Sequence, residues 1–203
     1  MAALLFDADT HRYTTPEGVV VRSVTQILTD VGLGIDHEAL GLADVAARKA
    51  AIGTAVHQAT AHSDNGELVS VDDPQVAAYL DAWHEFRVWS GLRPLVREYV
   101  VYHEPYGYCG TLDGVFLREN GAAVLVDIKT GTPPPYTPMQ LWAYTMAWCE
   151  SEARVIDEQW CVQLVPRKTP PYVVTKYGLW EDAQTWLACL RVYSAQRKIK
   201  RTR

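Results

Sequence analysis

Two strand-like segments separated by a three-residue loop constrain the fold of this chain more than any other feature. The segments span 108–118 and 122–131, are rich in apolar and β-branched residues, and flank a loop at 119–121 that ends in glycine. A loop of this kind suits a type I turn closed by a left-handed glycine, so the pattern predicts a β-hairpin. Counting outward from the loop then places Asp113 opposite Asp127.

The predicted register brings three charged side chains to one face of the hairpin. Directly paired residues have Cβ atoms roughly 4.5–5.5 Å apart, so Asp113 and Asp127 would meet, and Lys129 shares their face because side chains two apart point the same way. Close carboxylates repel unless a cation neutralises them, and oxygen ligands favour Mg²⁺ or Mn²⁺. Ile128 would anchor in the core, and its backbone carbonyl could act as a further oxygen ligand if the strand bends outward there. Lys129 would lie beside the metal, where a cation can orient or activate a water molecule that attacks a phosphate.

Short motifs on both sides of the hairpin extend this pattern. In chain order they are His11-Arg12-Tyr13, Ser23-Val24-Thr25, Gly53-Thr54-Ala55-Val56-His57, Glu98 and Gln140-Leu141-Trp142-Ala143-Tyr144. Together with Asp113 and Asp127-Ile128-Lys129, they resemble the PD-(D/E)XK nuclease superfamily. The Gly-x-x-x-His and Gln-x-x-x-Tyr motifs are similar to those of its RecB-like branch. The two N-terminal motifs are similar to phage-encoded members and to the mitochondrial genome maintenance exonucleases.

The resemblance implies a catalytic centre that binds one or two Mg²⁺ or Mn²⁺ ions. Asp113, Asp127 and the carbonyl of Ile128 are the expected ligands, and His57 and Glu98 would complete the shell. From the residues alone, His57 also fits a core or surface histidine on an alanine-rich helix. Glu98 also fits an edge-strand charge that faces water.

A helix after the hairpin would add two polar side chains to this centre. Gln140 and Tyr144 lie four residues apart and therefore on one helix face. The resemblance implies that this face is turned to the active site, where the amide and the phenol would hydrogen-bond the DNA backbone or the catalytic Lys129. The alternative is a glutamine and a tyrosine on a helix surface.

The predicted elements and the resemblance agree on an α/β (α+β) fold in which helices flank a mixed central β-sheet. A helix, a three-strand meander, a helix and a further strand follow one another along the chain. Its 203 residues suggest a single nuclease domain. It would comprise an N-terminal hairpin and helices over 1–92, a catalytic core over 93–150, and C-terminal strands and a helix over 151–203.

Local signals predict the elements of the N-terminal part. Residues 4–6 and 19–22 are expected to pair as a small hairpin, and Ser23 is expected to cap a short helix. From 36 to 62 the composition favours helix, being rich in alanine and leucine. Gly53 is expected to break this stretch into two helical pieces.

Basic residues are the candidates for contacts with DNA, although the net charge of the chain is −5. Local basic patches can outweigh the sum of charges, and the candidates are Arg167, Lys168, Arg197, Lys198, Lys200 and Arg201. For the C-terminal four, a solvated tail that ends a helix is an equally good interpretation.

Cysteine spacing and hydropathy bear on cofactors and location. The four cysteines lack the tight C-terminal group of the iron–sulfur clusters of some RecB-like nucleases, so we expect no cluster and interpret them as free thiols in a reducing compartment. No apolar run approaches the roughly 18 residues that a membrane span needs. We therefore expect a protein of the cytoplasm, in a bacterial or phage-infected cell, with no membrane partner.

Metal-dependent hydrolysis of DNA phosphodiester bonds is the predicted function. Similarity to the RecB-like and mitochondrial branches favours an exonuclease on single-stranded or frayed ends, acting in recombination, repair or replication with a protein of those processes as a partner. A structure-selective or restriction-type endonuclease would use the same residues. A catalytically silent nucleic-acid-binding module predicts loss of a catalytic residue, whereas Asp113, Asp127 and Lys129 are all present.

Overall fold

The computed structural model describes residues 4–7, 10, 12–34, 43–152 and 154–201. Within these residues, five helices flank a mixed sheet of eight strands, which confirms the predicted α/β class. The strands are β1 Leu5–Asp7, β2 Arg12–Thr14, β3 Val20–Ser23, β4 Arg93–His103, β5 Tyr108–Leu117, β6 Ala123–Lys129, β7 Glu158–Leu164 and β8 Tyr172–Tyr177. The helices are α1 Val24–Asp30, α2 Ala43–Asp64, α3 Pro74–Ser90, α4 Thr137–Ser151 and α5 Trp180–Arg201.

The β5–β6 hairpin has the predicted turn and register. The N–H of Arg118 donates to the carbonyl of Ala122 at 2.9 Å, and the N–H of Gly121 donates back to the carbonyl of Arg118 at 2.9 Å. Gly121 has a φ of 83°, the left-handed conformation that closes such a loop and favours glycine. The pairs from Leu117 outward follow the predicted count as far as Gly114 opposite Val126. The hairpin prediction is therefore confirmed.

Strand β5 pairs with three other strands of the sheet. The antiparallel strand β4 covers one edge of β5 along its whole length. On the other edge, β3 runs parallel to the first residues, Tyr108 and Cys109, whereas β6 pairs with Gly114–Leu117. The stretch 110–113 lies between these two partners. The sheet therefore forks at Asp113, and this fork positions the candidate site.

Two buried layers of apolar side chains hold the helices to the sheet. One layer joins α1, α4 and α5 to one face and includes the fully buried Trp186. The other joins α2 and α3 to the opposite face and includes Trp83 and Phe86. Alternate residues of β6 enter different layers: Leu125 enters the first, and Ile128 enters the second. Ile128 is thus anchored in the core, as expected.

Two N-terminal predictions are wrong in detail. Residues 4–6 and 19–22 do not pair with each other, because β2 lies between them and pairs with both β1 and β3. Strand β2 is fixed there by Tyr13, whose side chain is buried. Gly53 does not break α2, which is continuous from Ala43 to Asp64. A helical glycine costs only about 1 kcal/mol relative to alanine, which the alanine-rich neighbours tolerate. Residues 36–42 of the predicted stretch lie outside the described residues.

The cap predicted for α1 is confirmed. The hydroxyl of Ser23 accepts a hydrogen bond from the N–H of Gln26 at 3.2 Å, and the side-chain oxygen of Gln26 accepts one from the N–H of Ser23 at 3.1 Å. This reciprocal pair is a capping box, which satisfies two donors that the start of a helix would otherwise leave unpaired. It locks the end of β3 to the start of α1, beside the fork.

Candidate active site

The carboxylate of Asp113 connects the two strands that diverge at the fork in the sheet. Beyond Gly114 and Val126 the two strands of the hairpin diverge, so the expected pairing of Asp113 with Asp127 is not formed as a backbone pair. Instead, Asp113 Oδ2 accepts a hydrogen bond of 2.5 Å from the backbone N–H of Ile128. One carboxylate oxygen of Asp113 thus replaces the missing sheet contact and leaves Oδ1 for other partners.

Three side chains from three elements converge at this point. Nδ1 of His57, on α2, lies 3.2 Å from Asp113 Oδ1 and 3.5 Å from Glu98 Oε1, on β4. One ligand atom from each residue lies within 4.8 Å of the others, which is close enough for a single cation to contact all three. Carboxylate and imidazole are both donors that Mn²⁺ accepts, and carboxylate suits Mg²⁺. We call these residues the ligand cluster.

Glu98 reaches the cluster through a local distortion of β4. Its neighbours Arg97 and Tyr99 pair with Gly114 and Leu112, so Glu98 lies at the position opposite Asp113. Its own φ is 46°, a left-handed conformation that costs a non-glycine residue of the order of 1–3 kcal/mol. The interpretation of Glu98 as an edge-strand charge is therefore incomplete: its side chain is partly exposed, but it also contacts His57.

Asp127 and Lys129 lie next to the cluster on β6. The ammonium of Lys129 lies 2.9 Å from Asp127 Oδ1. Asp127 is buried, and its Oδ2 has no hydrogen-bond partner among the described residues. A buried carboxylate oxygen without a partner is costly. This unsatisfied oxygen fits a site that is completed by a cation.

The electrostatics of the site follow from burial and from crowding of carboxylates. Burial alone would lower the pKa of His57, but the carboxylates of Asp113 and Glu98 raise it to about 10. Burial raises the pKa of Asp127, and the negative charge of Asp113 raises it further. The positive charge of Lys129 opposes this shift but does not cancel it. Asp113, although buried, has a pKa below its ordinary value because His57 and Lys129 attract its charge. Negative charge is thus in excess where the strands diverge.

Gln140 and Tyr144 are buried on one face of α4, and Tyr144 reaches the cleft beside the cluster. The amide of Gln140 donates to the phenol oxygen of Tyr144 at 3.1 Å, which fixes both side chains. The carbonyl oxygen of Gln140 has no hydrogen-bond partner within the described part of the chain. Burial, opposed by this hydrogen bond, raises the pKa of Tyr144 well above its ordinary value, so the phenol keeps its proton. The interpretation as surface residues is wrong, since both side chains are inside.

Gly110 is a residue of the site that sequence reasoning missed. A Cβ atom at this position would lie 2.6 Å from Cε1 of Tyr144, closer than side chains approach. Only glycine therefore lets the ring of Tyr144 lie against the unpaired stretch of β5. A glycine inside a strand pattern signals such a close approach, and this signal was available in the sequence.

Arg97 is a second residue that sequence reasoning missed. Its guanidinium donates to the backbone carbonyl of Asp113 at 2.6 Å and to the hydroxyl of Thr60 at 2.9 Å, and its Nε lies 3.0 Å from Asp64 Oδ2. Thr60 in turn donates to the carbonyl of His57 at 2.9 Å. Arg97 therefore ties α2, which carries His57, to the strand that carries Asp113.

A cleft of about 500 Å³ leads to the ligand cluster. It is formed by the N-terminal strands, the start of α1, the middle of α2 and the unpaired part of β5. Its lining includes His57 and Glu98 of the cluster and Tyr144. Three of the predicted site residues, His57, Glu98 and Tyr144, thus line a cleft large enough for a small ligand or part of a polymer.

The predicted DNA-binding residues lie outside this cleft. Arg167 and Lys168 are exposed on the loop after β7 and line a second cleft of about 740 Å³ with Thr130, the residue after Lys129. Because β6 and β7 are parallel, the C-terminal ends of both strands lie on the same side of the sheet. Arg167 and Lys168 therefore lie at the end of the sheet where Lys129 lies.

The C-terminal basic residues occupy a different surface. Arg197 and Lys198 are exposed on α5 and line a groove with Tyr106. The side chains of Lys200 and Arg201 lie outside the described residues, although α5 itself continues to Arg201. Helix thus extends through most of the basic C-terminal segment, and the groove of Arg197 and Lys198 is not the cleft that contains the ligand cluster.

The cysteines are not part of the ligand cluster. All four cysteines are unpaired, as expected, and Cys109 lies in the core beside Tyr13. Burial raises the pKa of Cys109 to about 12, so its thiol is not ionised at neutral pH. In the part of the chain that the structure describes, no helix is both long enough and apolar enough to cross a membrane.

Comparison with known proteins gives no family for this chain. No protein-family model matches it, and no curated protein matches it. Its interpretation therefore depends on the geometry of the site and on the sequence motifs.

Proposed function

We propose that this protein is a metal-dependent deoxyribonuclease of the PD-(D/E)XK superfamily, acting as an exonuclease on single-stranded or frayed DNA ends. One observation carries the proposal. Ligand atoms of His57, Glu98 and Asp113 converge within 4.8 Å at a fork in the sheet, next to Asp127 and Lys129. Motif residues that are far apart in the sequence thereby meet around one point.

The donor set fits a divalent cation. Glu98, Asp113 and His57 would hold Mg²⁺ or Mn²⁺, and Asp127 would offer its unpartnered Oδ2, with the Ile128 carbonyl as a further oxygen. One or two such ions would polarise the scissile phosphate and lower the pKa of the attacking water. An excess of carboxylates in a partly buried site is favourable only when positive charge is supplied.

Lys129 is a cation in the metal-free site. Burial would lower its pKa, but the carboxylates of Asp127 and Asp113 outweigh burial and raise it, so the ammonium keeps its proton. A protonated lysine can donate a hydrogen bond to a phosphate oxygen or hold the attacking water in line. Tyr144, whose phenol also keeps its proton, is a second donor toward the phosphate backbone.

The basic loop beside Lys129 supports a polymeric substrate. Arg167 and Lys168 line the second cleft, next to Thr130, and can contact phosphates on that side of the cluster. A strand that passes the cluster would then lie between the first cleft and this loop. We extend the proposal to recombination, repair or replication in the cytoplasm of a bacterial or phage-infected cell, because the motifs resemble nucleases of those processes.

Cleavage of end-labelled linear and of circular single-stranded DNA, with Mg²⁺, Mn²⁺ or EDTA, tests the proposal. We expect digestion of the linear strand alone, dependent on metal and abolished by Lys129→Ala with DNA binding retained. Lys176→Ala is the matched control, because Lys176 is an exposed lysine on β8 that contacts Glu158. Nicking of the circle would instead indicate an endonuclease. Absence of metal-dependent cleavage of any DNA, or near-normal cleavage by Lys129→Ala, would contradict the proposal.

A further inference from the structure

A groove along helix α5 is lined by basic side chains and by two tyrosines. Its larger part has a volume of about 480 Å³ and lies between α5 and the 3₁₀ turn Glu104–Tyr106. A smaller part of about 320 Å³ lies between α5, the end of β3 and the end of α1. Tyr193 and Arg197 line both parts, so the two adjoin each other along the helix. We call the two parts together the α5 groove.

The charge of the α5 groove is opposite in sign to that of the whole chain. Four cations line it, Arg22, Arg191, Arg197 and Lys198, whereas the net charge of the chain is −5. Asp30 is the one acidic residue of its described lining, and it is paired with Arg22 at 2.6 Å. Arg191 and Arg197 are exposed and have no ion-pair partner among the described residues. Their charges are therefore available to an anionic ligand.

The two tyrosines give the α5 groove ordered walls. The guanidinium of Arg197 lies 5.8 Å from the ring centroid of Tyr193, about one turn earlier on the helix. On the other wall, Tyr106 is 53% exposed, and its turn is closed by a hydrogen bond of 2.9 Å from the N–H of Gly107 to the carbonyl of His103. The rings of Tyr106 and His103 also pack together, with centroids 4.8 Å apart. The groove is thus present before a ligand arrives, which lowers the entropic cost of binding.

The α5 groove comes close to the cleft that leads to the ligand cluster. Arg22 lines the groove, and the next residue, Ser23, lines the cleft. Thr25 and Gln26 at the start of α1 also line the cleft, whereas Asp30 at the end of α1 lines the groove. The junction of β3 and α1 therefore separates the two, and the capping box holds this junction in place. A DNA strand that leaves the cleft across this junction can enter the α5 groove.

We propose that the α5 groove is a second binding surface for DNA, which holds the phosphate backbone of a segment several nucleotides away from the ligand cluster. The choice of DNA as the ligand rests on the proposed function. The described lining of the cleft contains no arginine or lysine, so cations for the rest of the backbone must come from outside it. Arginine, lysine and tyrosine side chains are common contacts to phosphate oxygens and carry no sequence information. The groove therefore adds affinity for every strand that is long enough to reach it.

Affinity for single-stranded oligonucleotides of increasing length tests the inference. They are bound to the cleavage-deficient Lys129→Ala protein in Mn²⁺, with and without the further changes Arg191→Gln and Arg197→Gln together. We expect the affinity of the parent to rise once the strand is long enough to reach the α5 groove. The two α5 substitutions should weaken binding of long strands by about ten-fold at low salt and leave short strands unaffected. For long strands, the slope of log affinity against log salt should become shallower by about 1.4, because each phosphate contact to a single strand contributes about 0.7.

Arg93→Gln together with Lys176→Gln is the matched control. It removes the same number of positive charges from exposed positions on β4 and β8 that line neither the cleft nor the α5 groove. Because distant charges are screened by salt, it should change affinity by less than about two-fold at every length. Glutamine is a good helix former, so the substitutions in α5 should preserve the helix, which circular dichroism checks.

The outcomes separate this inference from the proposed function. If the wild-type protein cleaves DNA but the α5 substitutions leave affinity and salt slope unchanged, or weaken short and long strands equally, the α5 groove is not a DNA-binding surface and the nuclease stands. If the wild-type protein cleaves no DNA under any metal condition while the α5 substitutions still remove the gain in affinity with length, the proposed function is wrong and the groove is retained. A protein that neither cleaves nor binds DNA would overturn both.

Discussion

Two groups of charged residues, most of them buried or half-buried, are neighbours in this protein and share the elements α2 and β4. The arginine cluster consists of Asp64, Arg87 and Arg97, and the acidic cluster consists of His57, Glu98, Asp113 and Asp127 with Lys129 beside them. Helix α2 contributes Asp64 to the first and His57 to the second. Strand β4 contributes the adjacent residues Arg97 and Glu98, one to each cluster.

In the arginine cluster every charge has an ion-pair partner, although one carboxylate faces two guanidiniums and three atoms, Asp64 Oδ2, Arg87 Nε and Arg97 Nε, have no hydrogen-bond partner among the described residues. Asp64 forms ion pairs with both Arg87 and Arg97. The two guanidiniums also lie over aromatic rings, and that of Arg97 is 5.2 Å from the centroid of Trp83 and 5.3 Å from that of Phe116. Cation–π contacts of this kind add to stability when the cation is desolvated. Each charge in this cluster has partners, and the cluster joins helix to sheet.

The acidic cluster contains more carboxylates than cations. Three carboxylates share His57 and Lys129, Asp127 Oδ2 has no hydrogen-bond partner among the described residues, and Glu98 adopts a left-handed backbone conformation. Such strain and unsatisfied charge persist only where the surrounding structure enforces them, and they are typical of functional sites. The comparison distinguishes charges that join elements of the fold from charges that, under the proposed function, would be balanced by a cation.

The largest effect that we predict is the loss of stability on breaking the arginine cluster. Arg97→Met keeps the length of the side chain but removes the cation, which leaves Asp64 with one partner and frees the carbonyl of Asp113. Removing one member of a buried ion pair costs about 3–5 kcal/mol. We expect a decrease of this size in the free energy of unfolding, measured with urea in EDTA.

Arg93→Met is the control for this substitution. Arg93 begins the same strand but is exposed, so its replacement should change the free energy of unfolding by less than about 0.5 kcal/mol. If Arg97→Met is as stable as Arg93→Met, the arginine cluster does not hold α2 to β5, and the distinction drawn between the two clusters is lost.

Addition of a cation that binds the acidic cluster should increase the free energy of unfolding. We expect this increase to be smaller than the decrease caused by Arg97→Met. A ligand that binds only the folded state stabilises it by about 2.7 kcal/mol at a hundred-fold excess over its Kd. Mn²⁺ should therefore raise the free energy of unfolding of the wild-type protein, and Asp113→Asn should abolish the increase. The measurement is urea unfolding with and without Mn²⁺, alongside calorimetric titration.

Glu158→Gln is the matched control for the loss of a carboxylate. Glu158 is paired with Arg118 and Lys176 and lies outside the ligand cluster. Its replacement should leave the stabilisation by Mn²⁺ intact. An equal response to Mn²⁺ in Asp113→Asn and in the wild type would mean that the cation binds elsewhere.

The difference between the clusters also explains what could be predicted from the sequence. The hairpin register depends on a three-residue loop and on strict alternation, both of which are local, and it was predicted correctly as far as Gly114 opposite Val126. The predicted pairing of Asp113 with Asp127 is not formed. The contact of Arg97 with Asp64 joins residues on different elements, and no periodicity indicates it. The fork at Asp113 was not predicted either, because it depends on β3 and β6 sharing one edge of β5.

Other predictions failed or succeeded for similar reasons. The cap at Ser23 was predicted because a capping box is encoded within four residues. The pairing of β1 was wrong because a three-residue strand, β2, is too short to be recognised by its pattern. Gly110 carried a usable signal, whereas the contact that it permits with Tyr144 is a tertiary one.

The smallest effect that we predict tests the strain at Glu98. Glu98→Gly removes a carboxylate from the cluster and relieves a φ of 46° that glycine adopts freely. In EDTA we expect the free energy of unfolding to rise by about 1 kcal/mol, because the relief of strain exceeds the entropy that glycine adds to the unfolded chain. Affinity for Mn²⁺ should fall at the same time.

Glu98→Gln separates the two contributions in this experiment. It removes the charge but keeps the backbone strain, so it should lower Mn²⁺ affinity as Glu98→Gly does without the full gain in stability. Opposite changes in stability and in metal affinity would show that the conformation of Glu98 is maintained for binding and at the expense of the fold. If Glu98→Gly instead destabilises the protein and leaves Mn²⁺ affinity unchanged, Glu98 belongs with the charges that hold the fold together, and the ligand cluster is reduced to His57 and Asp113.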